Sequence, residues 1–165
     1  MTSLKKENKN YSGVFRISNG HLIALTRWLN NISLAGQESR ERTRFIETVS
    51  PHIKEIDEKR IELVKKYANK NDDGTPATVF DSEITNDDGT VTRQGEHFDV
   101  PEEQMENLNK EFEAYLQENF ELNIGDGNIA KFNTVKGIVL NTTEKFQGSF
   151  AVEYDEWCKA FESVQ

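Results

Sequence analysis

The chain is poor in the residues that most often carry chemistry or cross-links. Of 165 residues one is cysteine, Cys158, so no internal disulfide can form and a reducing compartment is expected. Long apolar runs are missing: no window approaches the roughly 18 residues of a transmembrane helix. The opening MTSLKKENKN has no apolar signal-peptide core, so no membrane association is expected. His21, His52, His97 and Cys158 are the only zinc-type donors, and none is paired in sequence as a zinc site requires. The two Asp-Gly turns fail as calcium loops. Counting Gly74 as the sixth position puts Phe80 where the bidentate acid belongs, and counting Gly89 puts Ile84 first. There is no glycine-rich phosphate loop after a strand and no Gly-x-Ser-x-Gly elbow. Cys158, between Trp157 and Lys159 on an amphipathic stretch, reads as a small packing residue. No catalytic residue, metal or cofactor is therefore expected.

What is present is charge, unevenly spread. The net charge is −9, yet residues 1–70 carry fourteen Lys/Arg against eight Asp/Glu, and residues 71–165 carry six against twenty-one. Such segregation bears on association and not on chemistry. The apolar fraction is 35%, but ten Phe, four Tyr and two Trp suffice to anchor a core. The length suits one domain over residues 13–165, preceded by a polar, basic, flexible arm at 1–12. That domain subdivides into a helical hairpin at 13–70, a β-hairpin or flap at 71–100 and an acidic helical closing region at 101–165.

The organising stretch is residues 39–67. Ile46, Val49, Ile53, Ile56, Arg60, Leu63 and Tyr67 follow at alternating steps of three and four, a coiled-coil-like seam on one long helix. Pro51 lies inside it; because the apolar phase continues past it, a kinked continuous helix is expected. Before it, Val14 to Ile17 alternates as a short strand, and Ser18 or Asn19 caps a helix to about Asn31 bearing Leu22, Leu25, Trp28 and Leu29. Gly36 is expected to close that helix in the left-handed conformation, leaving the two helices as a hairpin. The near-identical turns at 71–75 and 86–90, both Asn-Asp-Asp-Gly-Thr, bound a β-hairpin within 76–100. Pro101 opens a helix to about Asn119 with Met105, Leu108, Phe112, Tyr115 and Leu116 on one face. Residues 121–124 read as a strand, 128–141 as helical or extended, and 149–163 as a last helix packing Phe150, Tyr154, Trp157 and Phe161. The fold class is α+β, mainly helical: an N-terminal helical hairpin with a long central helix, a β-hairpin flap and two further helices.

Two groups of charged residues are candidates for partner binding. Arg40, Arg42 and Arg44 oppose the helix dipole in the first turns of the long helix. They are expected to pair with carboxylates of the acidic second half, or else to form an exposed basic patch. Glu102, Glu103, Glu106 and Glu113, with Glu118, lie on one helix and could form an acidic face. With so acidic a chain, nucleic acid is not expected as a partner. Self-association through 39–67 is expected if the seam outruns its intramolecular partners.

The segment Ser39-Arg40-Glu41-Arg42-Thr43-Arg44-Phe45, then Lys66-Tyr67, Lys70 and Asp73-Gly74, resembles the central pattern of an uncharacterised family of small proteins from phages and prophages of Gram-positive bacteria. Tyr154-Asp155-Glu156-Trp157-Cys158 with Phe161-Glu162 is similar to that family's C-terminal segment. Pro51 and the length between Pro76 and Pro101 depart from the pattern. The resemblance implies phage origin and carries no activity. The expectation it leaves is a non-enzymatic accessory protein that binds a phage structural protein or a host defence protein, in the host cytoplasm or the virion. The alternative is an acidic inhibitor that mimics nucleic acid against a host defence system.

Overall fold

The computed structural model describes residues 13–125 and 127–164; the flexible arm expected at 1–12 lies outside them. The order is β1 (Gly13–Ser18), α1 (Asn19–Asn31), α2 (Gly36–Tyr67), β2 (Thr78–Thr85), β3 (Val91–Phe98), α3 (Glu102–Leu116), β4 (Asn119–Ile124), α4 (Ile129–Asn141) and α5 (Ser149–Glu162). Helix and strand are mixed, with helix the larger share. Three helices follow the β-hairpin where two were expected. The third is α4, from the stretch whose signals were mixed.

The described residues form two compact units, one drawn from those up to 54 and from 116 onward, the other from 55–115. Their boundaries fall inside α2 and at the end of α3.

The first unit is built on β1 and β4, which pair antiparallel with Gly13 opposite Ile124 and Ser18 opposite Asn119. Alternation in β1 turns Phe15 and Ile17 inward and leaves Arg16 outside, ion-paired to Glu121 across the ladder. Phe15 sits among Phe45, Phe132 and Phe161, with ring centroids 6.3, 5.5 and 4.8 Å away. Ser18 caps α1 by accepting the His21 N–H at 3.3 Å, and Leu22, Leu25, Trp28 and Leu29 form the buried face. Trp28 lies 5.4 Å from Trp157 of α5, and Trp157 donates its indole N–H to the His21 carbonyl. Buried tryptophans of this kind combine a large apolar body with a satisfied polar edge. On α4, Phe132, Val135 and Val139 complete the core.

Gly36 has φ +52° but is the first residue of α2; α1 ends instead at Ile32, whose N–H returns to the Trp28 carbonyl. α2 is continuous through Pro51. Its buried stripe is Phe45, Val49, Ile56 and Leu63, with His52 and Lys59 half-buried in the same column as Phe45. Of the expected seam, Ile46, Ile53 and Tyr67 are half-buried, the first two packed against the core, and Arg60 is exposed, held by Asp57 at 3.0 Å.

The second unit has a small core of Ile56, Leu63, Ala68 and Leu108. Of the face expected on α3, Leu108 is buried, Phe112, Tyr115 and Leu116 are half-buried, and Met105 is exposed. Tyr67 and Lys66 at the end of α2 both donate to the Glu111 carboxylate, at 2.7 and 2.6 Å. That shared contact holds the Glu111 carboxyl below its ordinary range, the Lys66 bond being the main cause, and lifts the Lys66 ammonium in return.

Candidate interaction surface

Seventeen of the chain's 29 Asp and Glu fall in residues 55–115, against seven of its 20 Lys and Arg, so the acidity of the chain is concentrated in the second unit. Within it β2 and β3 form an antiparallel pair, and among the described residues no third strand joins them. Thr78 lies opposite Phe98 and Thr85 opposite Val91. The base of this β-arm is clamped to Asn69, two residues after α2. The Asn69 N–H donates to the Asp99 carbonyl, the Ala77 N–H to the Asn69 carbonyl, and the Asp99 N–H to the Ala77 carbonyl. Beyond the base, every residue from 81 to 97 is exposed. Ile84 and Val91, 54% and 49% exposed, flank the distal turn, with Val79 nearer the base.

The arm owes its shape to its own side chains. Arg93 pairs with Glu83, its cross-strand neighbour, at 2.7 Å and lies over the Phe80 ring at 5.3 Å. The Thr78 hydroxyl donates to Glu96. The two Asn-Asp-Asp-Gly-Thr turns are closed by the same bonds. Gly74 donates to the Asn71 carbonyl and Gly89 to the Asn86 carbonyl, both glycines at φ +82°. Thr75 and Thr90 each give both the hydroxyl and the backbone N–H to the aspartate two residues before. Those donors, the hydroxyl foremost, hold Asp73 and Asp88 below the ordinary aspartate value of 3.8.

On α3, Glu102, Glu103, Glu106 and Glu113 are all exposed. At 100° per residue Glu102, Glu106 and Glu113 fall within about 40° of one another, one strip beside the apolar face. Glu103 lies further round, and Glu118 is beyond the helix, in the turn before β4.

The three arginines belong to the first unit and do different things. Arg42 is half-buried and donates to the Ile32 and Leu29 carbonyls at 2.8 and 3.2 Å and to the Ser39 hydroxyl, satisfying the end of α1. Arg44 pairs at 2.7 Å with Glu41 of its own helix, a carboxylate only 4% exposed that also accepts from Gln37. The partners of Arg42 and Arg44 are therefore local, where carboxylates of the second half were expected. Arg40 is exposed and makes none of the ion pairs found among the described residues. With Ser39, Thr43, Arg44 and Glu47 it lines a shallow depression on α2, and Arg44, Glu47, Thr48 and Lys131 line a neighbouring one against α4.

The zinc-type donors are held apart. His21 donates to Glu153 at 2.6 Å, His52 bonds Asn19, and His97 stands on the arm near Asp81. Among the described residues no group of three or more His, Cys, Asp or Glu could hold a metal ion, and no helix is long and apolar enough to cross a membrane. Two features had no signal in the sequence: the burial of Glu41 and the His21–Glu153 pair, whose members are 132 positions apart. Compared with known proteins, the chain matches no family model, no curated protein and no solved structure.

Proposed function

We propose that this chain is a non-enzymatic bacteriophage accessory protein that works by binding another protein, as a virion or assembly component or as a host-directed factor. The observation that carries the reading is the β-arm, whose exposed Ile84 and Val91 stand at its tip, away from the small core of the unit. Apolar side chains presented on a charged arm suit contact with a partner better than they suit solvent. Phage origin rests on the resemblance of the Arg40–Arg42–Arg44 segment, and with it the host cytoplasm or virion as the location. Within the first unit, α1 and the start of α2 are read as a helical hairpin, pinned by Arg42 at one end and by the His52–Asn19 bond at the other. Self-association through 39–67 is not part of this reading. Val49, Ile56 and Leu63 are already covered within the chain, which leaves a second copy little apolar surface there.

The test is cross-linking of the full-length chain during infection, with quantitative mass spectrometry of purified virions beside infected cells. Cross-links from residues 55–115 to one protein are expected. A fixed copy number per particle would identify a virion component, and absence from particles a host-directed factor. No reproducible cross-linked protein in either fraction would sink the reading.

Nucleic-acid mimicry is the second reading, favoured by the strip of Glu102, Glu106 and Glu113 on α3. It requires that the partner be a nucleic-acid-binding enzyme whose DNA or RNA is displaced by the chain. Charge reversal of those three glutamates would then abolish the displacement.

A further inference from the structure

The arm has two strand edges, one outside β2 and one outside β3, that no other strand of the described residues pairs with. Such edges are templates for another chain, and proteins usually shorten, cover or charge them. Here they are eight residues long on each strand and uncovered, and the charge on them has one dominant sign. Asp81 and Glu83 lie on β2, Glu96 on β3, and Asp87 and Asp88 in the turn, against Arg93 alone. Val79, Ile84 and Val91 punctuate that series with apolar side chains.

We propose that the arm is a strand-addition site that accepts the lysine- or arginine-bordered strand of a protein partner. The proposal rests on the protein-binding reading above and names the element and the chemistry. Backbone pairing along an edge supplies affinity, and alternate side chains supply selection. A basic strand satisfies both the edge and the carboxylates beside it, whereas a second copy would place like charges opposite one another. Phosphate backbones and anionic lipid surfaces carry the wrong sign. The arm is also formed before it binds. The Glu83–Arg93 pair, the Thr78–Glu96 bond and the closed turn at 86–90 fix its register, so less ordering entropy is lost on association.

The experiment uses the isotope-labelled full chain and three synthetic ten-residue probes: a peptide alternating lysine with valine, its glutamate counterpart, and the lysine peptide methylated on alternate backbone nitrogens. The lysine peptide should shift amide resonances of residues 78–98 and slow their hydrogen exchange. The glutamate and N-methylated probes should bind at least about tenfold more weakly. The double substitution D81K/D87K should weaken the lysine peptide by a similar factor while other resonances stay in place. Equal binding of the N-methylated probe would overturn strand addition, since charge alone would then suffice. Shifts centred outside 78–98, or tighter binding of an oligonucleotide, of anionic vesicles or of a second copy of the chain, would overturn it as well. The two readings fail separately. Cross-links that map to residues 55–115 but outside the arm would leave the binding function standing and reject the arm.

Discussion

At the scale of single residues, the two repeated turns make the plainest test of local chemistry. Each is held by a threonine that donates twice to a carboxylate, so Thr75→Val and Thr90→Val should each raise the pKa of the paired aspartate, Asp73 or Asp88, toward 3.8. Carboxyl carbon shifts followed through an acid titration would report it. The sign for stability follows from the depressed folded value. Each carboxylate stabilises its turn fully above the unfolded pKa, and the contribution is lost as pH falls through the folded one. The turn residues were legible because Asp-Gly and the flanking threonine act within five positions. The roles of the arginines were only partly so. Arg42 does lie along the packing seam, but its acceptors are carbonyls ten and thirteen positions earlier, which no side-chain pattern announces. Glu41 looks like an ordinary surface acid in the sequence, and its burial arises from three-dimensional neighbours.

At the scale of elements, periodicity located most helices and failed where polar residues do apolar work. The expected seam on α2 holds at Val49, Ile56 and Leu63, which are buried, and at Ile46, Ile53 and Tyr67, which are half-buried, and fails at Arg60; Phe45, His52 and Lys59 widen the stripe on its other side. His52 earns its half-buried place by lying 4.8 Å from the Phe120 ring while bonding Asn19. A lysine stem can likewise cover apolar surface while its ammonium stays wet. α4 is rich in β-branched residues, which weaken a helical assignment, and burial of Phe132, Val135 and Val139 at helical spacing decides it. Pro51 gives an element-scale prediction. It is exposed inside α2 and leaves the Glu47 carbonyl without its usual N–H donor. Pro51→Ala should therefore stabilise the chain by about 2 kcal/mol, the roughly 3 kcal/mol helix-interior cost of proline less up to about 1 kcal/mol for the entropy it removes from the unfolded state. Urea unfolding of the full chain measures it.

At the scale of the whole molecule, the two units differ in how much they bury. The first has an apolar cluster that includes five fully buried aromatic side chains, Phe15, Phe45, Phe132, Trp157 and Phe161, and the second rests on Ile56, Leu63, Ala68 and Leu108. Native-state hydrogen exchange should accordingly show the arm opening first, the remainder of residues 55–115 next, and β1, α1 and α5 last. Equal protection in both units would contradict that order. The division of contacts into two units is not legible in the chain's length or composition. The pairing of β1 with β4 was equally invisible, since each strand is short and its partner lies about a hundred positions away. That pairing has a consequence in time. A ribosome adding about 5–20 residues per second delivers β4 roughly 5–20 seconds after β1, and α5 later still. During that interval Phe15 and Ile17 have emerged without the strand and helices that will cover them, so β1 waits for β4, α4 and α5.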